Sequence, residues 1–381
     1  MICYQVSKKL MISAGEASGE LYGALLGREI IKLWPDAEIF GIGGPRMEKE
    51  GISLIAPISQ VVGILEAIRH IGEVRNTLKK AAEKIITRKP DVLVLIDYPD
   101  FNLLLAKKAK AAGVPVLYYV SPQVWAWRRG RVKKIARLAD RMAVLFPFEV
   151  DYYKGTGLPC EFVGHPVAET INFHQTKEEA KINLGLDPDK RVITLLPGSR
   201  PNEISRHQKI LKEVAEKIHH EFSDIQIVIP LTPESHLTEP FPGYVKIIRG
   251  CTTEAVNCSE VSAAASGTAT LEIALLGTPM VVFYKVSPLT YHLIKSLVTI
   301  KFVSLVNILS GKEIVKEMLQ KDAHPEKIFS EIKKILTDVH YRDNMIFSLK
   351  KIGDIFQGKG PSVRVAQIVG EIAGWETTAH V

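Results

Sequence analysis

Short β-branched apolar runs alternate with longer stretches of helical periodicity along most of the chain, and this alternation leaves few folds open. The first series is Leu10 to Ser13, Ile39 to Ile42, Val92 to Ile96, Val116 to Val120 and Met142 to Phe146. The second is Val192 to Leu196, Ile225 to Ile229, Val245 to Ile248, Val261 to Ala265 and Met280 to Tyr284. Such runs are the pattern of βαβ units, whose parallel strands are covered on both faces. Helices are expected between them, such as Gly19 to Leu33 and Phe101 to Ala112, the latter stopped by Gly113 and Pro115. The polar stretch from Ala168 to Lys190 separates the two series. The chain therefore reads as two doubly wound, Rossmann-like α/β domains, residues 1–168 and 169–381, the second ending in helices that Gly358-Lys359-Gly360-Pro361 interrupts.

In an open parallel sheet, ligands bind at the carboxyl ends of the strands. Gly15-Glu16-Ala17-Ser18-Gly19 follows the first run. Its glycines are spaced G-x-x-x-G and Glu16 would repel a pyrophosphate, so it is not a dinucleotide fingerprint. It is either a turn that admits a sugar close to the backbone at Gly15, Glu16, Ser18 and Gly19, or a plain strand-to-helix turn. Asp97 leaves a buried run, where partial desolvation suits a carboxylate to take a proton from a hydroxyl. The competing role is helix capping, for which Asp100 is the better candidate. Ser121 to Trp127 follows the fourth run, and alternation puts Trp125 and Trp127 on one side of an extended segment, as the lining of an apolar acceptor channel or as core.

Gly198-Ser199-Arg200 opens the second series with a glycine turn and a guanidinium, suited to bidentate contact with a diphosphate, although Arg200 can equally pair with Glu203 at the surface. Ser266-Gly267-Thr268-Ala269-Thr270-Leu271-Glu272 ends an apolar run in a glycine turn and opens a helix. Helix N-termini attract phosphate, and a Glu one turn further along has the reach to accept both hydroxyls of a ribose; an ordinary N-cap has the same sequence.

The net charge of +7, from 49 Lys+Arg against 42 Asp+Glu, suits an anionic ligand or membrane surface and argues against nucleic acid. Cys3, Cys160, Cys251 and Cys258 have neither zinc-ligand nor disulfide-framework spacing, which fits a reducing cytoplasm, and no metal or cofactor is expected. Val61, Val62, Ile64, Leu65, Ile68 and Ile71 form an apolar stripe with Arg69, Arg75, Lys79, Lys80 and Lys84 nearby. This is the pattern of a core-packed surface helix and equally of one lying in a membrane interface.

GEASGE, IDYPDFN, SPQVWAW, LPGSR and SGTATLE, in this order and followed by PMVVFYK and SLVNIL, resemble the lipid-A-disaccharide synthase family. The resemblance implies a GT-B fold of two facing Rossmann-like domains and an inverting, metal-independent glycosyltransferase peripheral at the inner face of the cytoplasmic membrane. Its substrates would be UDP-2,3-diacylglucosamine and 2,3-diacylglucosamine 1-phosphate, its products the β-1,6-linked disaccharide 1-phosphate and UDP. It further implies Asp97 as catalytic base, Arg200 as donor-phosphate contact, Asn307 as a further active-site residue, Glu272 on the ribose, the Val61 stripe as membrane dock, and a homodimer with possible exchange of C-terminal segments. Two positions depart from the family pattern: Gln123, where a small Ser is usual, and Glu20, where Asp is usual.

Overall fold

The computed structural model describes residues 8–57, 71–126, 130–171, 175–233, 235–287, 301–358 and 360–376. They form two compact units, residues 1–169 with 358–381, and residues 170–357. The first unit holds strands β1 (Lys9–Ala14), β2 (Glu38–Gly43), β3 (Ser53–Pro57), β4 (Val92–Ile96), β5 (Val116–Tyr119), β6 (Arg141–Val144) and β7 (Cys160–Phe162). Their order is β3-β2-β1-β4-β5-β6-β7 and every pairing is parallel. The second holds β8 (Arg191–Leu196), β9 (Ile225–Leu231), β10 (Val245–Arg249), β11 (Val261–Ala265), β12 (Met280–Tyr284) and β13 (Glu317–Leu319), again all parallel, in the order β10-β9-β8-β11-β12-β13.

Both sheets run outward in two directions from their first strand, which creates a topological switch point between β1 and β4 and another between β8 and β11. The strands flanking these points are buried along nearly their whole length, as their predominantly apolar sequences require, with Ser13, Thr194 and Ser262 as buried hydroxyls among them. Register then fixes which loops are neighbours. Ala14 lies opposite Ile96, so Gly15 and Asp97 leave the first sheet side by side. Leu196 lies opposite Ala264, so Gly198 and Ser266 leave the second sheet side by side.

One boundary differs from the sequence expectation. Residues 358–381, read as part of the second domain, group with the first unit. The helix Pro361–Ala373 packs on the helix Ala17–Leu33 because Gly370 lacks a side chain: a Cβ there would stand 2.5 Å from Trp34 Cη2. Trp34 also meets Trp375 edge-on at 5.1 Å between ring centroids, and its Nε1 donates to the Glu376 carbonyl at 2.9 Å. Arg364 grips Glu161 through Nε and Nη2 at 2.6 and 2.9 Å, and Glu169 accepts from the Ser362 amide and hydroxyl. A small-residue notch and oppositely charged partners, both distant in sequence, override the apparent continuity of the chain.

Candidate active site

At the first switch point the backbone is strained. Asp97 and Tyr98 are consecutive non-glycine residues in the left-handed region, with φ of +48° and +44°. Gly15 makes this possible: a Cβ at that position would fall 2.3 Å from Tyr98 Cβ. The turn is held by Asn102, whose Nδ2 donates to the Asp97 and Ile96 carbonyls at 2.7 and 3.2 Å while its Oδ1 accepts from Ser13 Oγ at 2.7 Å. Tyr118 OH adds a bond to the Asp97 carbonyl at 3.1 Å. With its main chain so occupied, Asp97 is half-buried as a residue at the strand end. Asp100 is not the helix cap. The helix Pro99–Ala111 is entered through Tyr98 with no side-chain cap, and Asp100 sits in the first turn, ion-paired with Arg131.

Glu16 and Ser18 are partly exposed at the start of the neighbouring helix, while Gly19 lets that helix approach Ile96. Glu20 Oε1 accepts the Arg46 amide at 2.8 Å and packs against the turn at Gly44.

In the Ser121 to Trp127 segment, Trp125 takes the core alternative of the two read from the sequence. It is 4% exposed, packs edge-on against Phe148, and donates Nε1 to Glu149 Oε1 at 3.1 Å. Ser121 is buried and shares a hydrogen bond of 2.8 Å with Tyr153 OH. Both are framework in this conformation; Trp127 lies outside the described residues.

Sequence reasoning missed the group these residues surround. Glu149 accepts from Trp125 and from the Leu145 and Phe146 amides at 3.1 and 3.0 Å. Burial, with a smaller contribution from Asp97, lifts its carboxyl to about 7. The same negative charge raises Tyr22 and Tyr118 further, beyond the larger effect of burial. His165 lies nearby against Tyr22, accepts the Val167 amide through Nδ1, and is held neutral by burial, its imidazole lowered to about 3. The contacts that enclose them, Trp125 on Glu149 and Tyr22 on His165, are remote in sequence, so no local pattern marks either residue as buried.

At the second switch point Gly198 has φ of +108°. Glu203 folds back over the turn: Oε2 accepts the Ser199 and Arg200 amides at 3.3 and 3.4 Å, and Oε1 accepts Arg200 Nη1 at 3.2 Å and Tyr284 OH at 2.9 Å. The Arg200–Glu203 pair read from the sequence is therefore formed. His207, one turn further along the helix Pro201–Glu221, ties the loop to β12. Its Nδ1 bonds the Pro197 carbonyl at 2.7 Å and its Nε2 accepts the Lys285 amide at 3.1 Å, which fixes a neutral tautomer.

The helix Thr268–Leu275 begins at Gly267, with Thr268 and Ala269 partly exposed in its first turn. Thr270 is buried and turns its hydroxyl back to the Gly267 carbonyl at 2.8 Å, so of the two threonines only Thr268 is presented outward. Ser266 Oγ donates to the Val303 carbonyl at 3.2 Å. Glu272 accepts from Thr253 Oγ1 at 2.6 Å, and burial raises its carboxyl above the usual range. Thr253 also lines a cavity of about 650 Å³ together with Gln175, Asn183, Gly250 and Glu254.

Asn307 is fully buried and its amide is saturated. Nδ2 donates to the Val315 carbonyl and Glu317 Oε1, and Oδ1 accepts the Ile314 and Val315 amides. Its contacts lead back to the second switch point: Glu317 also accepts the Val303 amide, and the Val303 carbonyl in turn accepts from Ser266. Of the stripe residues, Val61, Val62, Ile64, Leu65 and Ile68 lie outside the described residues, and Ile71 begins the helix Ile71–Arg88. No helix among the described residues is long and apolar enough to cross a membrane.

A family model described as lipid-A-disaccharide synthetase matches residues 10–357. The chain is 44% identical to the lipid-A-disaccharide synthase of Geobacter sulfurreducens, over 97% of this chain and 98% of that one. It is 39% identical to that of Myxococcus xanthus, over 96% and 97%. Among solved structures it is similar to the calicheamicin glycosyltransferase, with a TM-score of 0.66, 12% identity and coverage of 97% and 99%. It is also similar to the UDP-GlcNAc 2-epimerase of Neisseria meningitidis bound to UDP-GlcNAc, with a TM-score of 0.65, 11% identity and coverage of 95% and 100%. At such identities these structures establish the shared fold alone.

Proposed function

The chain belongs to the lipid-A-disaccharide synthetase family, and from that premise we propose that it transfers 2,3-diacylglucosamine from UDP to the 6-hydroxyl of 2,3-diacylglucosamine 1-phosphate. The observation that carries this reading is the placement of Gly15, Asp97, Gly198, Arg200 and Ser266 on loops at the two topological switch points.

Acceptor activation falls to the first unit. Asp97 removes the proton of the 6-hydroxyl as that oxygen forms a bond to the anomeric carbon, with Gly15, Glu16, Ser18 and Gly19 offering a close backbone approach to the sugar. Leaving-group stabilisation falls to the second. As the anomeric C–O bond breaks on the opposite side, its electron pair passes to the β-phosphate of UDP, and the configuration inverts. Arg200, the amides after Gly198, and the helix end at Ser266 to Thr268 meet that charge. Glu272 accepts the ribose hydroxyls, and the cavity beside Thr253 is the place for the base.

Both substrates carry acyl chains, so the Val61 to Ile71 stripe, with the cations that follow it, docks the protein on the inner face of the cytoplasmic membrane, and the working form is a homodimer. Charge substitution at Ile64 and Ile68 then abolishes cosedimentation with anionic liposomes; unchanged sedimentation refutes the dock. The epimerase likeness supplies a rival reading on the same fold. Mass spectrometry of the products formed from both diacylated substrates decides between them. A disaccharide 1-phosphate made only when the acceptor is present supports the transferase; conversion of the UDP-sugar alone supports the isomerase.

A further inference from the structure

We propose that Glu203 is a displaceable anion, seated on the donor-phosphate donors until the diphosphate of the donor takes its place; this rests on reading Gly198 to Arg200 as the phosphate site. Its carboxylate engages the Ser199 amide, the Arg200 amide and the Arg200 guanidinium, the same three groups that a phosphate entering this turn would use. A carboxylate and a phosphate cannot share them, since two negative charges about 4 Å apart repel strongly wherever water is excluded.

The contacts are those of a loosely held occupant. At 3.2 to 3.4 Å they are longer than the roughly 2.7–2.9 Å of strong charge-assisted bonds. The shortest hydrogen bond to the carboxylate comes from Tyr284 OH at 2.9 Å, at the end of β12, where it can retain the group once the amides are taken. Gly198 makes the folded-back position available, because a Cβ there would lie 2.6 Å from Glu203 Oε2. The device keeps the loop preformed while the site is empty. It also competes with UDP after transfer and so hastens release of the product, a step that limits many transferases with closing sites.

The test is calorimetric titration of the full-length protein and its Glu203→Gln and Glu203→Ala variants with UDP and with uridine. Both variants are expected to bind UDP about tenfold more tightly, the scale of one charge-assisted hydrogen bond, with uridine affinity unchanged because uridine carries no phosphate. UDP affinity that is unchanged or weaker in either variant, or a gain shared by uridine, overturns the proposal and leaves Glu203 as a brace for Arg200. Arg200→Ala separates this from failure of the site itself. If that variant binds UDP as the parent does, the phosphate-site reading and the proposal fall together; if it binds UDP weakly while Glu203→Gln shows no gain, only the proposal falls.

Discussion

Asp97 combines a strained backbone, three hydrogen bonds that fix its main-chain surroundings, and a half-buried position whose charge is felt by the buried Glu149. Asp97→Asn keeps the shape and removes the base, so turnover is expected to fall about 10²–10⁴-fold with UDP affinity unaltered. Steady-state kinetics with parallel titration checks both halves. Glu149 supplies a pH signature. Its native carboxyl lies near 7, above its ordinary value of 4.5, so between those limits the folded state holds more protons than the unfolded one. Stability is then greatest below about 4.5, declines as pH rises, and reaches its full penalty above 7. The melting temperature of the parent relative to Glu149→Gln should accordingly drop between pH 5 and pH 8; a flat difference would mean that Glu149 is ionised throughout. The strand-end positions of Asp97, Arg200 and Glu272 were legible because each stands just after, or one turn beyond, a buried run. Glu149 was not, since its indole partner is 24 positions away and no local pattern encodes that contact.

At the level of elements, the switch-point strands could be read directly, because a strand covered on both faces is apolar at most of its positions rather than at alternate ones. β3, β7 and β13 were missed for the converse reason. They are three of the four sheet edges, mostly only partly buried, and their short sequences mix polar with apolar residues; the fourth edge, β10, was read from its Val245, Ile247 and Ile248. The helix Lys177–Asn183 lies inside the stretch read only as a polar separator and opens on a local capping box of Thr176 and Glu179. The join between β8 and the helix Pro201–Glu221 depends instead on His207, whose two ring nitrogens link the Pro197 carbonyl to the Lys285 amide. His207→Phe fills similar space but removes both bonds, leaving the buried Pro197 carbonyl unsatisfied at a cost of about 1–3 kcal/mol and the part-buried Lys285 amide without its partner. The expected result is a lower melting temperature together with weaker UDP binding, whereas His207→Gln, able to donate and accept, recovers part of both.

For the molecule as a whole, the chain leaves the first unit after Glu169 and returns to it at Gly358, so the stability of the amino-terminal sheet depends on its last ordered helix. Sequence reasoning placed that helix in the second domain because contiguity was the sole guide; the partners that reassign it, Trp34, Glu161 and Glu169, lie about two hundred residues or more upstream. Gly370→Ala tests the assignment. Alanine favours a helix over glycine by about 0.5–1 kcal/mol, yet the added Cβ would stand 2.5 Å from the ring of Trp34, and overpacking of this kind costs about 1–3 kcal/mol. The steric cost should win, lowering the first melting transition seen by differential scanning calorimetry. Because Gly198, Arg200, Ser266 and Glu272 all belong to the other unit, UDP affinity at 25 °C should stay within about twofold of the parent. Equal loss of UDP binding and of thermal stability would instead show that the two units do not act as separate bodies in donor recognition.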